Sequence, residues 1–172
     1  ICANYGTGAV FFSGCTLRCR YWQNGVISTG GAGEALTPEA LRETFLRLID
    51  EGAQSIDLVT PTHFLPSILP ALTPRLPVPV IYNCGGYESV ETLRELEGLI
   101  DIYLPDYKYA DPELAARLSG ARDYPAVAAA ALREMYRQVG GTELNEDGQM
   151  MQGMLVRHLV RPGFLSNTLA AL

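Results

Sequence analysis

The sequence predicts an α/β fold built on a parallel sheet with crossover helices. Three observations predict it. Short apolar, β-forming runs recur at 9–12, 55–60, 78–83, 100–106 and 153–160. Helical stretches with recognisable starts lie between them. Strand alternating with helix at this spacing means parallel strands joined by right-handed crossovers, in the order 1-2-3-4-5.

Each element has its own reason. "AVFF", 9–12, is a buried strand that runs straight into a loop with two cysteines. "GGAGE", 30–34, is a glycine-rich connector. Thr37-Pro38-Glu39 opens a helix with a capping hydroxyl, a proline at the first helical position and an acid in the first turn. Leu41, Phe45, Leu48 and Ile49 share one face of it, and Gly52 stops it. "SIDLVT", 55–60, is the second strand, followed by a polar elbow and "FLPSILPAL". "VPVIYN", 78–83, is the third, followed by "CGGYES" and a helix from Ser89 to about Glu97. "IDIYLPD", 100–106, is the fourth, with helical stretches at 112–118 and 125–138 after it. "GMLVRHLV", 153–160, is the fifth, preceded by the turn signal Asp147-Gly148. With no linker and no low-complexity segment, residues 1–172 are expected to form a single domain.

Composition bounds the function. A chain of 172 residues buries a real core. It is 48% hydrophobic and 19% charged, as a globular protein is, and no apolar run approaches the roughly 18 residues of a membrane span. No basic segment precedes an apolar stretch in the manner of a signal peptide. A net charge of −6 argues against a general grip on nucleic acid. Cys2, Cys15, Cys19 and Cys84 do not form a disulfide-framework pattern; a cytoplasmic, reducing location is expected.

Parallel α/β units place chemistry at the carboxyl ends of their strands. There the sequence puts Cys15 and Cys19, Thr60-Pro61-Thr62-His63, Asn83-Cys84-Gly85-Gly86, Asp106-Tyr107-Lys108 and Arg161-Pro162-Gly163. Any such rim must meet water, so polarity alone leaves open whether it is a site. Two cysteines at Cys-x3-Cys spacing are a weak metal signal; a third thiol three residues on would make a cradle suited to an iron–sulfur cluster. Position 22 holds Trp22.

The surroundings sharpen this. "GTGAVFFSGCTLRCRYWQN" resembles the cluster loop of radical S-adenosylmethionine enzymes, Gly-Cys-x-Leu-Arg-Cys-x-aromatic-Cys-Gln-Asn, at Gly14, Cys15, Leu17, Arg18, Cys19, Tyr21, Gln23 and Asn24. "LVTPTHFLPSIL", "YNCGGYESVETLRELEGLIDIYLPDYKYAD" and "GMLVRHLVRPG" resemble, in order, later blocks of the branch related to pyruvate formate-lyase activating enzymes. The resemblance implies a partial (β/α) barrel of the radical SAM type, here about five strands of a six-strand core. It implies a [4Fe–4S] cluster on Cys15 and Cys19 and S-adenosyl-L-methionine bound near Tyr21, Thr60, Asn83, Asp106 and Lys108. It also implies reductive cleavage to a 5′-deoxyadenosyl radical, hydrogen abstraction from a glycyl-radical-type protein or another substrate, and an electron donor such as flavodoxin or ferredoxin.

Three departures accompany it. Trp22 stands at the third ligand position, and indole has no lone pair for iron. Nothing in the spacing of Cys2 or Cys84 recommends either as a substitute. A Gly-Gly-Glu block usual after the second strand is replaced by Thr60-Pro61-Thr62-His63. The chain begins at Ile1 and ends shortly after "RPG", so the last strand unit is expected to be missing.

Other readings stay open on residue type. Asp106 and Lys108 could be an ordinary rim ion pair, and Tyr21 a packed loop aromatic. His63 is a hydrogen-bonding residue at a helix start, a metal ligand or a proton carrier. Arg157 and His158 alternate along a strand, so one faces inward; an inward Arg157 serves either a ligand carboxylate or a structural salt bridge. Cys84 reads as a small buried residue. The rival functions are a related barrel that only binds a small molecule or protein, and a zinc-bound loop on Cys15 and Cys19.

Overall fold

The computed structural model describes residues 6–21, 27 and 33–172. Five parallel strands form the sheet: β1 (Gly8–Phe11), β2 (Ile56–Val59), β3 (Val80–Cys84), β4 (Ile102–Pro105) and β6 (Met150–Met154). A two-residue strand, β5 (Glu143–Leu144), pairs antiparallel with β6, giving the order β1-β2-β3-β4-β6-β5. The parallel part follows the expected order, and the sheet is an unclosed partial barrel. The antiparallel β5 was not expected. Asp147-Gly148 forms the turn between β5 and β6, with Gly148 at φ 74°. The last expected strand is also shorter than 153–160: regular pairing with β4 ends at Met154, and beyond it a single bridge joins Asp106 to Arg157.

The helices start where their sequences cap them. In α1 (Pro38–Asp50) the Thr37 hydroxyl accepts from Ala40 N–H at 3.2 Å, with Pro38 in the first turn. α2 (Leu65–Ala71) follows a short 3-10 turn at Thr62–Phe64. Ser89 caps α3 (Val90–Arg94), which is shorter than the predicted run to Glu97. Its continuation tightens into turns in which Leu96 and Glu97 bond three residues back, ahead of Gly98 in the left-handed region. Asp111 caps α4 (Pro112–Ser119), and α5 (Tyr124–Val139) and α6 (Leu165–Ala171) complete the chain.

Strand alternation separates two environments. On β3, Val80, Tyr82 and Cys84 face the helices and join the main core with Phe45, Ile68, Leu93 and Met135. Ile81 lies on the opposite, concave face with Ile102 and Leu104. Asn83, two residues after Ile81, takes that same face, near the carboxyl end of the strand. A second apolar cluster around Tyr109, Leu114 and Tyr124 receives Leu17 and so anchors the cysteine loop. None of the described helices is long and apolar enough to cross a membrane.

Candidate functional site

The cysteine loop leaves β1 through Gly14, whose φ of +90° suits glycine, and Gly14 N–H donates to Ile27 O at 2.9 Å. Leu17, 5% exposed, plugs the second cluster and leaves Cys15 and Cys19 half-buried on either side. Burial pushes the Cys15 thiol up from its ordinary value, and the Leu17 backbone N–H only partly opposes this. Ser119 Oγ, at the end of α4, lies 3.0 Å from Cys19 Sγ, and its other neighbour is the Tyr109 hydroxyl at 2.7 Å. Tyr109 also bonds Tyr21 Oη at 2.7 Å, so three hydroxyls lead from Tyr21 to Cys19.

From the other side of the mouth, β3 delivers Asn83 and the β4 elbow delivers Asp106 and Lys108. Asp106 Oδ2 pairs with Lys108 Nζ, and its Oδ1 accepts from Arg157 Nε at 2.9 Å. Arg157 NH2 reaches Asn83 Oδ1 at 2.7 Å, and Asn83 Nδ2 donates to Asp57 Oδ2 at 3.2 Å. The row Asp57–Asn83–Arg157–Asp106–Lys108 thus runs from β2 and β3 to the segments that follow β4 and β6. Burial raises the Asp57 carboxyl, with the Asn83 amide and Arg157 acting against it. Asp57 Oδ1 is buried and has no hydrogen-bond partner among the described residues.

Two residues shape the rim from beneath. Gly86, at φ +78°, sits so close that a Cβ would collide with the Asp106 carbonyl oxygen. Tyr124 Oη, 0% exposed as a residue, accepts from Lys108 N–H at 2.9 Å. It lies 2.9 Å from both Gly85 O and Asp106 O, and its proton serves those carbonyls.

Cys15, Cys19, Thr60, Asn83, Asp106 and Lys108 all line one cavity, joined by Cys84, Gly85 and Arg157. Tyr21 stands behind this lining, its ring 4.1 Å beneath the Arg161 guanidinium. Thr60, at φ 56°, donates to Phe12 O, and His63 bonds Ser13 O rather than serving a helix start. Arg157 takes the inward position and carries the salt bridge to Asp106, while His158 turns outward to Tyr107 O and Thr168 Oγ1. Cys84 is buried, and its thiol is pushed well up by burial. Trp22, Gln23, Asn24 and Cys2 lie outside the described residues.

Sequence reasoning passed over Asp57, Glu88, Ser119 and Tyr124. A charge inside the apolar run "SIDLVT" was a readable signal for Asp57. Ser119 and Tyr124 carried none, because the partners that tie them to the rim, Cys19 and Gly85, lie 100 and 39 residues away in sequence.

No protein-family model matches the chain. An uncharacterized protein of Methanocaldococcus jannaschii is 30% identical over 125 residues, which are 67% of this chain and 37% of that protein. Among solved structures, methylornithine synthase (PylB) aligns with 98% of this chain at a TM-score of 0.60 and 17% identity, over 49% of its own chain. The chain therefore spans well under two thirds of either protein's length. The fold of this chain, an unclosed (β/α) barrel with a mostly parallel sheet, is similar to the part of methylornithine synthase that it covers.

Proposed function

We propose that the chain is the barrel core of a radical S-adenosylmethionine protein and that its rim cavity is where S-adenosylmethionine lies. The observation that carries this reading is the convergence of Cys15, Cys19, Asn83, Asp106, Lys108 and Arg157 on one cavity at the carboxyl ends of parallel strands. The Cys-x3-Cys loop and the Asp-x-Lys pair lie far apart in sequence, and both belong to the family's pattern.

Whether the residues fit the family's cluster is a question of donor count. Such a cluster uses three thiolates and leaves one iron for S-adenosylmethionine. Cys15 and Cys19 supply two; among the described residues no group of three metal-ligating side chains exists. Cys84 is buried in a setting that disfavours its thiolate. Trp22 occupies the remaining position of the pattern. The donor set does not fit a cubane held by three loop thiolates, so what these residues perform by themselves is binding.

Arg157, 41% exposed at its side chain, brings a guanidinium to the cavity for a ligand carboxylate. Its two bonds to Asp106 and Asn83 hold it in place, and the same bonds make Asn83 and Asp106 a fixed polar wall for ribose or amino groups. The finer reading is activation of a partner protein by hydrogen abstraction with flavodoxin or ferredoxin as reductant. It rests on the resemblance of the three later blocks, "LVTPTHFLPSIL", "YNCGGYESVETLRELEGLIDIYLPDYKYAD" and "GMLVRHLVRPG". Trp22 favours a second reading, a barrel that binds without catalysing.

The test is anaerobic reconstitution with iron and sulfide, alongside equilibrium titration with S-adenosylmethionine. The unmodified chain is expected to bind S-adenosylmethionine and to retain little iron. Trp22→Cys should gain iron towards one cubane and show an EPR signal that changes when S-adenosylmethionine is added. Absence of S-adenosylmethionine binding in both chains would overturn the reading. Iron gain without an EPR change would favour the non-catalytic one.

A further inference from the structure

The Thr60–His63 elbow and Glu88 take no part in the rim wall's ion pairs, yet they form a connected structure of their own. Thr60 is held at φ 56°, a region costly for a β-branched residue, and such strain persists only where the surroundings impose it. What is imposed here is contact with the cysteine loop. Thr60 Oγ1 donates to Phe12 O at 3.1 Å. His63 Nε2 lies 2.6 Å from Ser13 O, so Nε2 carries the proton and donates. The His63 ring also fills the space beside Gly14: a Cβ there would lie 2.9 Å from Nε2. Two side chains of one elbow thus grip the two carbonyls that immediately precede Gly14-Cys15.

The elbow is in turn held from below. Thr62 Oγ1 donates to Glu88 Oε1 at 2.9 Å, and Tyr82 Oη donates to Glu88 Oε2 at 3.2 Å. Glu88 is 2% exposed, and its partners are two hydroxyls and the Cys84 thiol rather than a cation. A buried carboxyl with only neutral donors is costly and is retained where it holds something. Glu88 comes from the elbow after β3, Thr62 from the elbow after β2, and Ser13 from the loop after β1.

We propose that Glu88 and His63 are positioning residues for Cys15. Glu88 fixes Thr62, the elbow fixes the backbone of Phe12-Ser13, and that backbone sets where the Cys15 sulfur is presented. Cys19 is held separately, through Ser119 and Tyr109 on the opposite flank. The proposal rests on the reading of the rim as a binding site only for what the loop presents; the geometry of the loop itself is read without iron or S-adenosylmethionine.

The experiment is site-resolved thiol labelling of the full chain with N-ethylmaleimide at one fixed pH, quantified by peptide mass spectrometry. Thr62→Val removes one hydroxyl at nearly constant shape, and His63→Ala removes the grip on Ser13. Each should raise the Cys15 labelling rate about fivefold, the scale of losing one ordinary hydrogen bond, with Cys19 changing less than about twofold. Glu88→Gln keeps an acceptor for Thr62 and should leave Cys15 at the parent rate. Unchanged Cys15 labelling in both Thr62→Val and His63→Ala would overturn the proposal. So would an equal rise at Cys15 and Cys19, which marks general loosening. Glu88→Ala removes the acceptor for Thr62 and should raise Cys15 labelling as Thr62→Val does; a Glu88→Ala rate equal to the parent rate would remove Glu88 from the assignment. Failure of S-adenosylmethionine binding, measured separately, leaves these rates untouched, so the two readings fail independently.

Discussion

Replacing Glu88 by Gln should make the protein more stable, and only at neutral to alkaline pH. Burial pushes this carboxyl from 4.5 up to about 7, with the hydrogen bonds from Thr62, Tyr82 and Cys84 opposing the shift. A folded-state value above the unfolded one means the folded protein binds the proton more tightly. The stabilisation from the neutral form is complete below about pH 4.5 and is lost as pH rises through about 7. At 1.36 kcal/mol per pH unit, ionising the buried group costs the fold about 3 kcal/mol above that range. Gln is uncharged throughout, keeps one acceptor for Thr62, and can donate to the Tyr82 oxygen. Urea unfolding of both chains across pH 5–8 measures the difference. The two should differ least at pH 5, by under about 1 kcal/mol, and diverge to about 3 kcal/mol at pH 8, with Glu88→Gln the more stable. Parallel pH profiles, or a variant weaker at pH 8, would refute the argument that an uncompensated buried charge sits here.

Three further outcomes follow from the rim. Gly86→Ala forces a side chain into the left-handed region and against the Asp106 carbonyl. It should cost about 3 kcal/mol or more in urea unfolding, and it should weaken S-adenosylmethionine binding because Asp106 must move. Tyr124→Phe removes the hydroxyl that accepts from Lys108 N–H and donates to Gly85 O and Asp106 O; thermal or urea denaturation should show a loss of about 2 kcal/mol. Trp22→Cys should raise bound iron after anaerobic reconstitution, read as iron per chain against the unmodified protein; equal iron in both chains would count against the thiolate reading of position 22.

The alternation of apolar runs with capped helices was enough to fix five parallel strands and their order. Period and capping are local properties, and the crossover rule leaves few ways to connect them. Thr37, Ser89 and Pro38 mark their helices in the chain itself. The rim was legible for a related reason: residues that follow strands of a parallel sheet must gather at one end, so Cys15, Cys19, Asn83, Asp106 and Lys108 could be placed together before any coordinate. The β5 strand was not legible, because two exposed residues carry no apolar pattern and pair only where the turn at Gly148 aims them. Nor was the end of β6: "LVRHLV" has strand-like composition, but pairing needs a neighbour, and β4 offers only one bridge beyond Pro105. What tertiary structure alone decided is who holds whom. Glu88 meets Thr62 across 26 residues, Ser119 meets Cys19 across 100, and Arg157 meets Asn83 across 74. Side-chain partners of that separation are set by how the strands pack side by side, since hydrogen bonds form wherever the sheet brings a donor to an acceptor and leave no spacing in the chain to read.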